Sequence, residues 1–139
     1  MIDVVVFNET EKKYLPQKKI MDVADLIFDD YHIEDAKIRI IFLYDDDIND
    51  INKRFLHHNS PTDVLSFNFE EENLEGEIYI SIETAERQAK EYKVSLTNEL
   101  LRLSIHGILH LLGYEDKTMK NRKIMHNLED KYLNKILKR

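Results

Sequence analysis

The sequence contains no cysteine and no tryptophan, and only 3 glycines and 2 prolines among its 139 residues. Without cysteine there is no disulfide framework, no thiolate nucleophile, no iron–sulfur cluster and no Cys-type zinc finger. So little Gly and Pro excludes a collagen-like repeat or a low-complexity linker. With 42% hydrophobic and 34% charged residues the chain can bury a core. Positive charge is also in deficit: 20 Lys and Arg against 27 Asp and Glu leave a net charge of −7. That balance argues against strong, non-specific binding of phosphate backbones over the whole surface. It is compatible with a small basic patch, or with a metal that supplies positive charge locally. Long hydrophobic runs are missing as well. Ile40 to Tyr44 is far short of the ~20 residues of a membrane span, and the run from Ile2 to Phe7 lacks the basic flank of a signal peptide. The expectation is a single cytoplasmic, soluble domain over residues 1–139, with no membrane partner.

What is present reads as a mixture of strands and helices. Ile2 to Phe7 is a short β-branched strand, and Lys37 to Tyr44 is a second, so poor in polar residues that it belongs at the centre of a sheet. Between them Pro16 suits the first turn of a helix whose Ile20, Val23, Ala24, Ile27 and Tyr31 recur at helical spacing. Asp45, Asp46 and Asp47 suit the cap and first turn of a short helix carrying Ile48, Ile51 and Phe55, so their charge reads as capping and a solvated face. Thr62 to Phe69 alternates as a half-buried strand, Glu70 to Glu75 reads as an acidic turn, and Gly76 opens a further strand through Ile78, Ile80 and Ile82. Ser81 caps a helix through Ala85, Ala89 and Tyr92; a second runs from about Ser95 or Thr97 to Leu112, and a last from about Thr118 to Leu137. Strands and helices mix without regular alternation. The expected fold is therefore α+β, one small mixed sheet packed against helices.

The informative stretch is His106-Gly-Ile-Leu-His110-Leu-Leu-Gly113-Tyr-Glu-Asp116. Two histidines four apart on a helix project from one face and can share a metal ion. Gly113 falls where the periodic pattern ends, and as a C′ residue it can turn the chain back. Asp116 can then swing round as a third ligand, leaving a fourth position open as in catalytic zinc sites. His32, His57, His58 and His126 lie in turn-like or polar contexts and read as surface residues. Gly107 stands where the H-E-x-x-H peptidases carry their general base. A metal lowers the pKa of its water to about 7 by itself, and the candidate carboxylates to assist it are Glu77 and Glu115.

This stretch resembles the signature of the YbeY family of bacterial metal-dependent endoribonucleases and ribosomal RNA maturation factors. Two further segments match in order: Ile51-Asn52 leading into Pro61-Thr62-Asp63-Val64-Leu65-Ser66-Phe67, and Gly76-Glu77-Ile78-Tyr79-Ile80-Ser81. The resemblance implies a zincin-like metal helix and one Zn2+ per chain on His106, His110 and Asp116. It further implies cleavage of single-stranded RNA, maturation of the small-subunit ribosomal RNA 3′ end, ribosome quality control and partners on the small subunit, with no DNA substrate. Thr62, Asp63 and Ser66 would shape the cleft beside the metal. Three positions depart from the family pattern: Asp116 replaces a third histidine, Leu56 stands in place of an arginine, and Glu77 replaces an aspartate. Two other readings share these residues. One is a metallopeptidase with the H-x-x-x-H-x-x-G-x-x-D geometry; the other is a non-catalytic ribosome assembly factor with a structural metal.

Overall fold

The computed structural model describes the backbone at residues 1–56, 64–68 and 74–138, and the side chains at 1–54 and 74–138. The described elements run β1 (Ile2–Asn8), α1 (Gln17–Asp30), β2 (Ala36–Leu43), α2 (Asp45–Leu56), β3 (Val64–Asn68), β4 (Leu74–Ser81), α3 (Ile82–Tyr92), α4 (Leu96–Leu111) and α5 (Met119–Leu137). The strands form one mixed sheet in the order β1-β2-β4-β3. β1, β2 and β4 are parallel, and β3 runs antiparallel along β4, with Ser66 in register opposite Ile78. The α+β architecture expected from the sequence is the one observed. β4 begins at Leu74, two residues before Gly76, so part of the expected acidic turn is strand. Thr62 and Asp63 lie outside the described residues, as do His57 and His58.

Burial explains the sequence of β2. On one face Ile38, Ile40 and Phe42 are fully buried in the main core, which continues through Ile20, Val23 and Ile27 of α1 and Leu101, Ile105 and Ile108 of α4. On the other face Ile41 and Leu43 form a smaller cluster with Ile48 of α2, joined by Ile51 and Tyr79. A strand buried on both faces must be apolar throughout, which is why β2 shows no alternation. Each fully buried Ile, Leu or Phe contributes about 1.5–3 kcal/mol of burial free energy.

The helix starts follow the cap residues read from the sequence. Ser81, Ser95 and Thr118 each accept a backbone N–H from the residue three positions on, satisfying a donor the first turn leaves open. α4 is nearly buried all round, as expected for a helix crossing the centre of a core. It packs over β3 and β4 and against α1, α3 and α5. One stripe escapes burial: Arg102, His106 and His110, spaced i, i+4, i+8, keep 22%, 22% and 28% of their side-chain surface exposed.

Candidate metal centre

Helix α4 ends just beyond this stripe. Gly113 takes φ +104°, a conformation side chains disfavour. Its N–H donates to the His110 carbonyl at 3.0 Å while the Tyr114 N–H donates to the Leu109 carbonyl at 3.0 Å. This pair of bonds is a Schellman motif, which satisfies the last carbonyls and reverses the chain. Asp116 thereby returns to the histidines. Its Oδ2 lies 3.4 Å from His106 Nε2 and 3.6 Å from His110 Nε2, and the two Nε2 atoms are 2.9 Å apart. Donors bound to zinc at about 2.0–2.1 Å in a tetrahedron stand about 3.3 Å from one another. These separations are of that size.

The hydrogen bonds behind the ligand atoms decide their character. The Tyr114 carbonyl can only accept, so His110 Nδ1, at 2.9 Å, donates to it. His106 Nδ1 donates to Glu129 Oε2 at 2.7 Å. A neutral imidazole that donates from Nδ1 presents a lone pair at Nε2. With both imidazoles neutral, two such lone pairs and a carboxylate oxygen converge on one point, three acceptors with no donor among them. A cation is what such a set lacks, and His106, His110 and Asp116 are a group that can hold a metal ion.

Glu129 and Arg102 complete the support and were not found from the sequence. Glu129, on α5, is 6% exposed. It accepts from Arg102 Nη1 at 2.9 Å as well as from His106, and Arg102 Nη2 reaches Asp130 Oδ1 at 2.7 Å. Burial works against the Arg102 charge, but the bonds to Asp130 and Glu129 outweigh it and raise the guanidinium pKa. A carboxylate behind a ligand histidine fixes its tautomer and raises its basicity. The signal was present but faint: Arg102 sits four residues before His106, and Glu129 is the acid within the otherwise apolar face of α5.

On the far side, Tyr31 Oη of α1 lies 2.7 Å from Tyr114 Oη, and Tyr132 Oη donates to Asp30 at 2.8 Å. Burial, followed by the Tyr114 hydrogen bond, pushes the Tyr31 pKa up to about 12. Burial and the Asp30 bond push Tyr132 up as well. These phenols tie the turn that carries the Tyr114 carbonyl to α1 and α5.

The other candidates fall in different places. Glu115 is exposed beside Asp116. Glu77 is not brought to the ligands: it accepts from Tyr79 Oη at 3.1 Å. Tyr79 packs with Ile41 and Ile48 on the α2 side of the sheet, whereas α4 lies against Ile78 on the opposite side. Strand alternation thus puts the sheet between Glu77 and the histidines. Ser66 occupies the register position opposite Ile78. Gly107 explains the missing peptidase base, because a Cβ there would meet Ile78 Cγ2 at 2.5 Å. A glutamate has no room at that position.

A small α+β fold whose core helix and following turn present a His/His/Asp donor set with an acidic residue behind it defines a protein of the metal-dependent hydrolase type. Comparison with known proteins gives the family. The model of the family described as Endoribonuclease YbeY matches residues 5–137. The Endoribonuclease YbeY of Chloroherpeton thalassium is 38% identical over 93% of this chain and 92% of its own length. That of Sulfurihydrogenibium sp. is 35% identical over 96% and 91%. The solution structure of TM1509 from Thermotoga maritima superposes with a TM-score of 0.67 at 31% identity, covering 96% of this chain and 88% of that one. The chain belongs to the YbeY endoribonuclease family.

Proposed function

We propose that this protein is a zinc-dependent, single-strand-specific endoribonuclease that matures the 3′ end of small-subunit ribosomal RNA and takes part in ribosome quality control. It works as a single cytoplasmic domain over residues 1–139, alongside the small subunit or its associated proteins. The observation that carries this reading is the convergence of three acceptor atoms, from His106, His110 and Asp116, in a chain of an endoribonuclease family. Among the described residues no helix is long and apolar enough to cross a membrane.

When bound, zinc polarises the scissile phosphodiester and makes water a competent nucleophile near neutral pH. The chain's own part is to hold and orient. Glu129 and the Tyr114 carbonyl fix both imidazole rings with Nε2 toward the ion. Asp116 would contribute a negative ligand, so a bound ion would keep less positive charge than beside a third neutral imidazole. Glu115, exposed on the same turn, assists proton transfer in this reading. Thr62, Asp63 and Ser66 belong in this reading to the wall of the cleft.

The direct test is metal analysis paired with an RNA assay. The purified protein should carry near-stoichiometric zinc and cleave single-stranded RNA in a chelator-sensitive way. His110→Ala should lose the metal and at least 1,000-fold of the activity, on the order of other lost catalytic groups. A wild type that binds no zinc after reconstitution would end the proposal. Leu56, where the family pattern has an arginine, favours a second reading, an assembly factor with a structural metal. Full rescue of a depleted cell by Asp116→Ala would establish that second reading.

A further inference from the structure

A groove of about 870 Å³ runs from the metal centre between α3, α4 and α5. It is lined by His106 and Asp116, by Tyr92 and Val94, and on α5 by Arg122 and Lys123. Its volume is within the ~300–1,000 Å³ of sites that hold small organic groups.

Charge in the groove is unevenly compensated. Its deeper acid, Glu129, is already bonded to Arg102 and His106, and Glu99 is buried at 1% exposure. Arg122 donates to the backbone carbonyls of Asp116 and Lys117 at 3.4 and 3.3 Å, which holds its guanidinium beside the third ligand without neutralising it. Lys123 is exposed and pairs with no carboxylate among the described residues. A chain of net charge −7 therefore sets Arg122 beside Asp116 and lines the same groove with Lys123. The Tyr92 ring, also in the lining, belongs to a residue 57% exposed. Side-chain cations beside an exposed aromatic ring are how proteins track a single strand: cations follow the phosphates and a base stacks on the ring.

Resting on the endoribonuclease reading, we propose that the α3–α4–α5 groove holds the single-stranded RNA on one side of the scissile phosphate, with Arg122 and Lys123 on its backbone and a base stacked on Tyr92. Arg122 then supplies cationic charge beside Asp116. The occupant is polyanionic and unpaired, since stacking on Tyr92 requires a base face not already stacked.

The test measures KM for cleavage of a short single-stranded RNA, and binding of the same RNA by fluorescence anisotropy across a salt series. Tyr92→Ala should raise KM about tenfold, on the scale of one lost base stack, and Tyr92→Phe should restore it. Lys123→Ala should lower the slope of log affinity against log salt by about 0.7, one single-strand phosphate contact. Lys18→Ala, which removes an exposed cation of α1 far from the groove, should change neither. Zinc content, measured in parallel, should stay at the wild-type level in all four. Unchanged KM and salt slope in the Tyr92 and Lys123 variants would overturn the groove and leave the nuclease reading standing. If the wild type carries zinc but cuts no RNA, that reading fails instead. The anisotropy series then still decides the groove: weaker binding by the variants supports it and equal binding refutes it.

Discussion

Two clusters of acidic and polar side chains, one at the start of α2 and one at the end of α4, are built oppositely. At the start of α2, Asp45 Oδ1 accepts from Thr84 Oγ1 at 2.7 Å and from the Ser81 hydroxyl. Asp45 Oδ2 lies 2.9 Å from Arg87 Nη2. Every group aimed at this carboxylate is a donor. At the end of α4 the groups aimed at one another are His106 Nε2, His110 Nε2 and Asp116 Oδ2, all acceptors. The first cluster is complete as a set of hydrogen bonds, and it ties α2 to β4 and α3. The second, with both rings neutral, is a group that can hold a metal ion. A run of three aspartates attracts the eye as a metal site, yet the donors around Asp45 mark it as a structural tie between α2, β4 and α3.

The contrast breaks most sharply under mutation. Beyond the loss of metal and activity expected for His110→Ala, Glu129→Gln should weaken zinc affinity about 10- to 100-fold, the usual effect of changing the group behind a ligand histidine. Competition with a calibrated chelator measures it, and an unchanged affinity would show that His106 needs no carboxylate behind it. Asp45→Ala should act the other way round. It should lower stability by about 2–3 kcal/mol, because three donors lose a charged acceptor, while zinc content and RNA cleavage persist. Thermal denaturation with parallel metal analysis would expose a shared role if both fell together.

Smaller effects refine the picture. Gly113→Ala should destabilise by about 1–2 kcal/mol through its positive φ alone, since nothing lies within 4 Å of the added Cβ. Because that turn delivers Asp116, zinc affinity should fall as well. A Gly113→Ala protein with wild-type zinc affinity would mean the turn is held by the Tyr31–Tyr114 contact instead. The last prediction concerns pH. Burial would raise the Asp45 pKa, but the bonds from Ser81, Thr84 and Arg87 outweigh it and hold the carboxyl below its ordinary 3.8. A carboxyl with a depressed folded-state pKa contributes stability that is present above 3.8 and is lost as pH falls through the lowered value. Asp45→Asn should flatten the acid limb of the stability curve over that range, as urea titrations at stepped pH would record.

Local chemistry accounts for much of what could be read in advance. The helix starts at Ser81, Ser95 and Thr118, the two-sided burial of β2 and the glycine turn at Gly113 each depend on a few neighbouring residues. The triad His106, His110 and Asp116 was legible for the same reason: helix periodicity and one Schellman turn bring its three members together within eleven residues. The sequence by itself therefore determined the elements, their mixed character and a group of three residues that can hold a metal ion. Glu77 shows where that reach ends. Its place on a strand was correct, but which side of the sheet α4 would cover depends on contacts between elements far apart in sequence. Glu129 is separated from His106 by 23 residues, and only the packing of α5 on α4 brings it to 2.7 Å from the ring. The tautomer of each histidine, the room denied to a side chain at Gly107 and the groove lined by three helices were likewise decided by tertiary structure. Each depends on the direction of side chains from separate elements, and no local pattern encodes that direction.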